Sequence, residues 1–333
     1  MPGSSLPPLR YLSSADVVAA MPPIEERLAL AELTMIALVA DAELPPKIAV
    51  HPRPPDSFGH AMPAYLRSQR GTADDALGMK WVTGFPSNAE RDLPTIHALV
   101  LLNDPTTGLP MAILDGTPIT AQRTAAVSGV AIRRYARPIE GRRPRAALVG
   151  AGVQGTSHVP VIGHVLPGVE LAIHDRDAGR AAALATVAAS TPGIAAVSVA
   201  EDPEAAVAGA DVVVTAASFG PVRQVMTNAW LAPDALVVPI DYAMYCAAEV
   251  ARDAALFLVD ERGQFLANRE AGLFEGYPEP TATLGEAILA DRRRPDAGHV
   301  VVSHLGVGLA DVIFGRAILA AAEAGGLGME LPR

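Results

Sequence analysis

The sequence predicts an α/β protein in which a mostly antiparallel first third precedes a doubly wound parallel sheet. From Arg145 onward, short and nearly continuous apolar runs alternate with helix-like segments. This pattern is typical of parallel strands that are buried on both faces. Before that point, shorter runs are joined by turn residues, as at 103–108, which indicates antiparallel hairpins. A glycine-rich turn, Gly150–Gly155, directly follows the first buried run.

The first third is predicted to form a sheet and one long helix. Leu12–Val17 has the pattern of a strand end, a helix cap and a helix start. Apolar residues recur at helical spacing over residues 25–40, and Pro45-Pro46 stops that helix. The last two strands of this part form a hairpin. Five strands are predicted, at residues 47–51, 60–66, 78–83, 97–102 and 110–115.

The rest of the chain is predicted to alternate helices and buried strands. Helices are expected over residues 120–134, after Asp202-Pro203, and over residues 308–324. Residues 120–137 and 303–308 are the predicted crossings between the two parts. Buried strands are expected at residues 146–149, 169–173, 211–217, 235–241, 255–260 and 300–303.

The turn Gly150-Ala151-Gly152-Val153-Gln154-Gly155 lies between a strand and a helix, as in a βαβ unit that binds a dinucleotide. Gly150 permits a tight turn, Gly152 lets the backbone approach a pyrophosphate, and Gly155 lets the helix pack closely. The N-terminus of the helix offers N–H groups and a partial positive charge to phosphates. The sequence therefore predicts a Rossmann domain.

Two residues at the end of the second strand of this unit bear on the choice of cofactor. Asp175 lies about 20 residues beyond the glycines, where a carboxylate accepts hydrogen bonds from the ribose hydroxyls of an adenosine. This favours NAD, because a carboxylate repels a 2′-phosphate. Arg176 lies beside it and suits that phosphate, so NADP is the alternative.

Composition argues against several classes of partner. The chain of 333 residues is half hydrophobic, which is enough for two domains with cores. A formal net charge of −10 without a long basic run argues against nucleic acid. No apolar run approaches the roughly 18 residues of a membrane span, and Met1–Ser4 lacks the pattern of a signal peptide. With one cysteine, Cys246, we expect a cytoplasmic protein without a metal, nucleic-acid or membrane partner.

Four charged residues in apolar surroundings are candidates for chemistry. Lys80 lies on a strand, Arg123 on an Ala-rich helix, and Lys47 at the start of a strand. Cations in such places suit a small anionic substrate such as a carboxylate; the alternative is a surface residue with a snorkelling side chain. Asp241 ends an apolar strand, where open α/β sheets bind ligands. It is a candidate for proton transfer, or alternatively a helix cap.

Several segments, taken together and in order, resemble the ornithine cyclodeaminase/mu-crystallin family. One of them is similar to the K-x-V-x-x-F-P-x-N segment of that family, and another to its glycine turn. The resemblance covers about Pro45 to Leu331. The similar segments are Ala61–Ala64, Gly78–Asn88, Asp115–Ala126, Gly150–Gly155 and Leu305–Asp311.

The resemblance implies a Rossmann domain over residues 125–304 and a discontinuous α+β domain, residues 1–124 and 305–333, for substrate binding and dimerisation. Asp241 is the implied catalytic aspartate, and Lys80 is implied both to take part in catalysis and to bind the substrate carboxylate. The implied substrate contacts are Lys47, Lys80, Arg123 and Leu305. The implied cofactor contacts are Thr95, Arg123, Gly150, Gly152, Val153, Gln154, Gly155, Asp175, Arg176, Thr215, Asp241 and His304.

Two departures from the family pattern narrow the implied activity. The usual arginine after Pro-Pro is Lys47 here, which keeps the charge but loses the bidentate fork. Cyclodeaminases follow their aspartate with Pro-Gly-Lys, whereas Asp241 is followed by Tyr242–Glu249, which contains no lysine. The resemblance therefore implies a homodimeric NAD(P)-dependent oxidoreductase that reduces an α-imino acid, formed from a cyclic imine or an oxo acid plus amine, or oxidises the amino acid. The alternatives are an ammonia-releasing ornithine or lysine cyclodeaminase and a non-catalytic ligand-binding protein.

Overall fold

The described chain forms two compact units. The computed structural model describes residues 6–218, 220 and 222–333, so Met1–Ser4 lie outside it. One unit contains the chain up to Arg123 together with Val307–Arg333, and the other runs from Thr124 to Gly306. Leu305 thus belongs to the second unit. None of the described helices is long and apolar enough to cross a membrane.

The chain up to Arg123 contains every strand and helix that the sequence predicts there. The helices are α1 (Ser14–Ala19), α2 (Ile24–Ala40) and the first part of α3 (Gly116–Tyr135), with 3-10 turns at Thr72–Asp74 and Pro86–Arg91. The strands are β1 (Leu9–Leu12), β2 (Ala42–Glu43), β3 (Ile48–Val50), β4 (Phe58–Leu66), β5 (Ala76–Gly84), β6 (Ile96–Asn103) and β7 (Pro110–Asp115).

The rest of the chain contains the predicted strands and helices and several more. The strands are β8 (Arg145–Val149), β9 (Val169–His174), β10 (Ile194–Val199), β11 (Val212–Thr215), β12 (Leu236–Pro239), β13 (Leu256–Val259), β14 (Ala282–Thr283), β15 (Val300–Ser303) and β16 (Met329–Leu331). The helices are α4 (Val153–Val165), α5 (Ala178–Ala189), α6 (Pro203–Val207), α7 (Ala248–Arg252), α8 (Arg262–Glu270), α9 (Leu284–Leu289) and α10 (Gly308–Gly325), with a 3-10 turn at Asn228–Trp230.

The sheet of the first unit is mostly antiparallel, as predicted. Its order is β16-β1-β7-β6-β5-β4-β2, and β3 pairs with β4. The β6–β7 hairpin is confirmed, with Leu101 opposite Ile113. One pair differs from the antiparallel expectation, because β1 runs parallel to β7 with Tyr11 opposite Ile113. β16 then pairs with β1, so both ends of the chain contribute to one sheet.

The two faces of this sheet differ in burial. On β5, Gly78, Lys80 and Val82 are buried, and α10 packs on β4, β5 and β6. A Cβ on Gly78 would lie 2.4 Å from Leu101 O and 3.2 Å from a Val312 methyl of α10, so the glycine lets the helix approach the sheet. This packing places the inward residues of β5 against α10.

The sheet of the second unit is parallel throughout, as predicted. Its order is β10-β9-β8-β11-β12-β15-β13-β14. Four strands, β11, β12, β13 and β15, are buried at every residue, which explains their continuous apolar sequence. Because all strands run in one direction, the residues that follow β9, β8, β11, β12 and β15 lie in that order along one edge of the sheet.

Candidate active site

The three glycines of the turn after β8 are required for different reasons. Gly150 has a φ of 111°, in the left-handed region, and a Cβ there would lie 2.4 Å from Ala216 O. A Cβ on Gly155 would lie 2.0 Å from Gly150 O, so the glycine lets α4 pack against the turn. A Cβ on Gly152 would meet nothing within 4 Å. The backbone at Gly152 is therefore open to a ligand.

The helix after this turn begins without a side-chain cap. α4 starts at Val153, and its N-cap residue is Gly152, whose missing side chain accepts no hydrogen bond. Val153 is 65% exposed, whereas Oε1 of Gln154 is buried and has no hydrogen-bond partner in the described part of the chain. Uncapped N–H groups at the positive end of the helix dipole suit a phosphate group.

A cleft of about 350 Å³ lies beside this turn within the second unit. It is lined by the residues that follow β8, β9 and β11 and by part of the loop after β12. Its position at the carboxyl ends of parallel strands is where open α/β sheets bind nucleotides. The lining includes Gly150, Gly152, Asp175, Arg176, Arg180 and Tyr245.

Asp175 lies in the cleft and is held by backbone amides. Its Oδ2 accepts a hydrogen bond from Ala151 N at 2.7 Å, and its Oδ1 accepts one from Asp177 N at 2.9 Å. A carboxylate has about four acceptor positions, so further donors such as ribose hydroxyls can be accommodated. Arg176 and Arg180 also line the cleft. This part of the cleft therefore combines a carboxylate with two guanidinium groups.

Asp241 follows β12 and is 5% exposed. Its Oδ2 accepts a hydrogen bond from Ala217 N at 3.2 Å, whereas its Oδ1 has no partner of good geometry among the described residues. Burial raises the pKa of Asp241 above its usual value, and three backbone amides and the Thr215 hydroxyl oppose that rise. A carboxyl group with a raised pKa retains its proton closer to neutral pH, which suits a general acid.

The alternative role for Asp241, a helix cap, is wrong. The next helix, α7, begins at Ala248 and has the preceding alanine as its N-cap. Between them, Tyr242 and Ala243 have positive φ angles of 54° and 60°. Ala243 belongs to a buried apolar cluster against which Tyr242 and Tyr245 pack. Asp241 is thus followed by a tight, apolar turn.

Lys80, Arg123 and Asp311 form a buried ionic cluster in the first unit. Nζ of Lys80 lies 2.7 Å from Oδ2 of Asp311, and Nε of Arg123 lies 3.3 Å from Oδ1 of Asp311. The three residues are 2%, 5% and 0% exposed, so the snorkelling alternative is wrong for both cations. Burial lowers the pKa of Lys80 to about 7, and the ion pair with Asp311 opposes this shift. With all three groups charged, the cluster has a net charge of +1.

Two further residues predicted for the site, Lys47 and Thr95, lie on the loops before β3 and before β6. Lys47 is half-buried and directly precedes β3. Burial lowers the pKa of His60 to about 4, with smaller contributions from the charges of Lys47 and Lys80. Lys47 therefore adds to the positive potential on this side of the unit. Thr95 is exposed and its carbonyl accepts a hydrogen bond from Phe85 N at 2.8 Å, so its cofactor contact stays a prediction.

His304 and Leu305 follow β15 in the second unit. His304 is 1% exposed, and its Nε2 lies 2.8 Å from Ser128 Oγ. The amides of Leu305 and Gly306 both donate to Oδ2 of Asp260, at 2.8 and 2.7 Å. A buried carboxylate therefore fixes the backbone after β15.

Two aspartates that shape these sites, Asp311 and Asp260, have no role in the sequence-based predictions. Asp311 is detectable because it is a carboxylate among the apolar residues that begin the last helix, Gly308 to Phe314. Asp260 is detectable because it ends an apolar strand, as Asp241 does. The two strand-end aspartates differ in their hydrogen bonds. Asp260 accepts hydrogen bonds from three backbone amides, whereas one oxygen of Asp241 has no hydrogen-bond partner among the residues described.

Known proteins resemble this chain over most of its length. A family model described as the ornithine cyclodeaminase/mu-crystallin family matches residues 12–321. The nodulation efficiency protein NfeD of Rhizobium meliloti is 35% identical over 328 residues, covering 96% of this chain and 98% of that protein. The ketimine reductase mu-crystallin of Mus musculus is 29% identical over 260 residues, covering 77% of this chain and 78% of that protein. The structure of Thermococcus litoralis Δ1-pyrroline-2-carboxylate reductase, in complex with NADH and L-proline, superposes on this chain with a TM-score of 0.83 at 23% sequence identity. The match covers 96% of this chain and 99% of the reductase chain, so the two have the same fold.

Proposed function

The chain belongs to the ornithine cyclodeaminase/mu-crystallin family, and we propose that it is an NAD(P)-dependent oxidoreductase that reduces the C=N bond of an α-imino acid. The observation that carries this proposal is the buried cluster of Lys80, Arg123 and Asp311, which has one cation in excess. The names of two similar proteins, a ketimine reductase and a pyrroline-carboxylate reductase, support the same reaction class.

The cluster suits the carboxylate of the substrate. Burying a charge is costly unless an opposite charge neutralises it. Asp311 neutralises one of the two cations, and a substrate carboxylate would neutralise the other. The guanidinium of Arg123 donates to Asp311 through Nε, and its planar group of five N–H donors suits a second carboxylate.

The glycine turn, Asp175 and the uncapped start of α4 fit a dinucleotide cofactor. Gly152 leaves room for a pyrophosphate, and the first N–H groups of α4 suit its charge. Asp175 would hold the adenosine ribose of NAD, and Arg176 suits the 2′-phosphate of NADP. When bound, the reduced nicotinamide supplies a hydride.

Asp241 would supply the proton of the reaction. In the reduction of an imine, a hydride adds to the α-carbon and a proton adds to the nitrogen, which gives the amine. Because burial raises its pKa, the Asp241 carboxyl is suited to protonate the imine nitrogen and to make the α-carbon more electrophilic. The oxygen without a partner among the described residues, Oδ1, is the one available for this transfer.

The segment after Asp241 favours net reduction over cyclodeamination. It carries no basic side chain from Tyr242 to Ala248 and forms a turn packed on the apolar cluster. The absorbance of reduced nicotinamide tests this choice, with NADH or NADPH and a panel of oxo acids plus amines and cyclic imino acids. We expect loss of reduced cofactor in a one-to-one ratio to the amino acid formed. Ammonia release from a diamino acid with NAD, without net change in the cofactor, would instead support a cyclodeaminase, and no turnover would support a ligand-binding protein.

Replacing Gly152 with Ala is expected to weaken cofactor binding without unfolding the protein. The added Cβ meets no protein atom within 4 Å, so it projects into the space where the pyrophosphate would lie. The dissociation constant of NADH, measured by titration calorimetry, should increase by about tenfold or more. Gly141→Ala is the matched control, since a Cβ there also meets nothing within 4 Å, although its φ of 74° makes the substitution mildly strained. Equal NADH affinity in Gly152→Ala and the unchanged protein would contradict the proposal that the pyrophosphate lies against Gly152.

The affinity for a carboxylate ligand is expected to fall as pH rises through about 7. The pKa of Lys80 is lowered to about 7, so the ammonium form that attracts a carboxylate is lost above that pH. Once Lys80 is neutral, affinity should fall by up to about tenfold per pH unit. Cyclopentanecarboxylate is a suitable ligand, because its own group stays ionised over pH 6–9. In Lys80→Arg the profile should be flat, because a guanidinium stays charged; a flat profile in the unchanged protein would contradict the prediction.

The outer face of the first sheet supports the proposal of a homodimer. Trp81 lies opposite Leu99 on this face, and Tyr11 and Met111 lie on the same side of the neighbouring strands. All four side chains are exposed, and a contiguous apolar face of this kind is typical of an interface. The mass in solution, measured by light scattering, should be twice that of one chain of 34.5 kDa. A mass of one chain at micromolar concentration would contradict the dimer.

A further inference from the structure

His60 lies on the same face of the first sheet as the buried ionic cluster. It is opposite Val82 of β5, and Met62 is opposite Lys80. Directly opposite residues of an antiparallel pair point to the same face, and so do residues two apart along one strand. His60 and Lys80 are therefore diagonal neighbours, which lie roughly 7–8 Å apart in such a pair. The side chain at position 60 is thus within reach of a small molecule whose carboxylate binds at Lys80.

The last helix covers the sheet from Met62 onward, and His60 lies beyond the start of that helix. α10 begins at Gly308, where a Cβ would lie 2.5 Å from Met62 O, and it continues over Gly78, which is opposite Ala64. His60 lies on the other side of Met62 from Ala64, and it is half-buried, whereas Met62 and Ala64 are buried. A ligand held at the ionic cluster can therefore reach the ring of His60.

An aromatic neighbour holds the ring of His60. The centroids of the His60 and Phe58 rings lie 4.5 Å apart, with an angle of 26° between the planes. Phe58 is opposite Gly84, and a Cβ there would lie 2.2 Å from the Phe58 ring, so the glycine gives that ring its place. Stacking on Phe58 limits the orientations of the imidazole, which suits a residue that discriminates between ligands.

The electrostatic potential at His60 is positive. Burial lowers the pKa of His60 to about 4, and repulsion from Lys47, His51 and Lys80 adds to that shift. Lys47 directly precedes β3 and His51 directly follows it, and the middle residue of β3, Ala49, is opposite His60. Basic residues beside both neighbouring strands thus contribute to this potential. His60 is a neutral imidazole at physiological pH and supplies no counter-ion for a cation.

A substrate side chain with a positive charge is therefore unfavourable beside His60. The carboxylate of an amino or imino acid would neutralise the excess charge of the ionic cluster, but the ammonium group at the end of an ornithine or lysine side chain would add a new cation. Like charges this close repel in salt as well, because the Debye length at physiological ionic strength is about 8 Å. An uncharged or acidic side chain avoids this repulsion.

We propose that His60 is a specificity-determining residue that faces the substrate side chain and excludes diamino acids, so that the substrate is an α-imino acid with an uncharged or acidic side chain. The proposal rests on the proposed function, because it requires that the substrate carboxylate binds at Lys80 and Arg123. It deepens that function by naming the substrate class. It also favours net reduction over cyclodeamination, on grounds separate from the segment after Asp241.

Two carboxylates of equal length and different charge test the proposal in the unchanged protein. Hexanoate ends in a methyl group, and 5-aminopentanoate has an ammonium group at the same position. At pH 6, Lys80 is charged and His60 is neutral. Titration calorimetry at this pH should give an affinity for 5-aminopentanoate that is about tenfold weaker than that for hexanoate, or weaker still. Equal or tighter binding of 5-aminopentanoate would overturn the proposal.

Substitutions at position 60 separate the effect of charge from that of shape. His60→Glu supplies a carboxylate, and it should raise the affinity for 5-aminopentanoate relative to that for hexanoate by about tenfold or more. His60→Gln has no charge and should leave this ratio within about threefold of the unchanged protein. His97→Glu is the matched control and should also leave the ratio unchanged, because it adds the same charge at an exposed position on the opposite face of the sheet.

The outcomes distinguish this proposal from the proposed function. If hexanoate binds and the ratio in His60→Glu equals that in His60→Gln, the charge at position 60 does not act on the ligand, and this proposal alone is overturned. If the unchanged protein binds neither carboxylate, the site for the substrate carboxylate is absent, and the proposed function is overturned as well.

Discussion

Replacing Asp241 with Asn is expected to lower kcat for imino-acid reduction by about 10²- to 10⁴-fold. The amide keeps the shape of the side chain and its place beside Ala217, but it has no acidic proton to give to the imine nitrogen. NADH binding should change by only a few-fold, because the glycine turn and Asp175 are untouched. Steady-state kinetics and cofactor titration of the same preparation separate these two effects.

The pH dependence gives a second test of Asp241. Because its pKa is raised by burial, the protonated form extends to higher pH than for an ordinary aspartate. The rate of reduction should therefore fall as pH rises through that pKa, and Asp241→Asn should lose this dependence. Asp202→Asn is the control, since Asp202 is an exposed N-cap of α6 and asparagine caps a helix equally well. Unchanged turnover in Asp241→Asn would remove Asp241 from the mechanism.

Replacing Asp311 with Asn is expected to lower the free energy of unfolding by about 3–5 kcal/mol at pH 6. Asp311 is the ion-pair partner of both Lys80 and Arg123 at almost complete burial, so its loss leaves two buried cations without an anion. The loss should be smaller at pH 9, because the pKa of Lys80 is about 7 and its neutral form has no charge to bury. Denaturant unfolding at the two pH values measures this difference.

Lys80→Met is the matched comparison for Asp311→Asn. It leaves Arg123 and Asp311 as a neutral pair, so stability should stay within about 1.5 kcal/mol of the unchanged protein. The apparent KM for the imino acid should nevertheless rise by about 100-fold, since the buried cation that attracts the carboxylate is gone. If Lys80→Met lost stability and its KM were unchanged, Lys80 would not bind the substrate carboxylate, and the cluster would have only a structural role.

The second unit was the more predictable part of the fold. Its strands are buried on both faces, so their sequences are continuous apolar runs with clear ends. The edge strand β10 escaped prediction because it is half-exposed and contains small residues. The parallel pairing of β1 with β7 has no local signal either, because the partners are about a hundred residues apart in the chain. Such pairings depend on tertiary packing, which periodicity does not reveal.

The candidate site was predictable residue by residue but not as a set. Lys80 and Arg123 each stand out as a cation in apolar sequence, yet the same pattern fits a snorkelling surface residue. Asp311 decides between the two interpretations, because a buried carboxylate lies within ion-pair distance of both. The ion pairs join residues 80, 123 and 311, which are far apart in the chain. They form only because α10 packs against β5, which the sequence pattern does not show.

Hydride transfer to the α-carbon is the central step of the proposed reductase, and deuterium labelling tests that step. NADH with deuterium at both C4 positions, incubated with an imino acid that is turned over, should give an amino acid with one deuterium on its α-carbon, seen by mass spectrometry and proton NMR. The amount of labelled product should equal the amount of NADH consumed. An amino acid product without deuterium, or ammonia release without consumption of NADH, would contradict the proposed reductase.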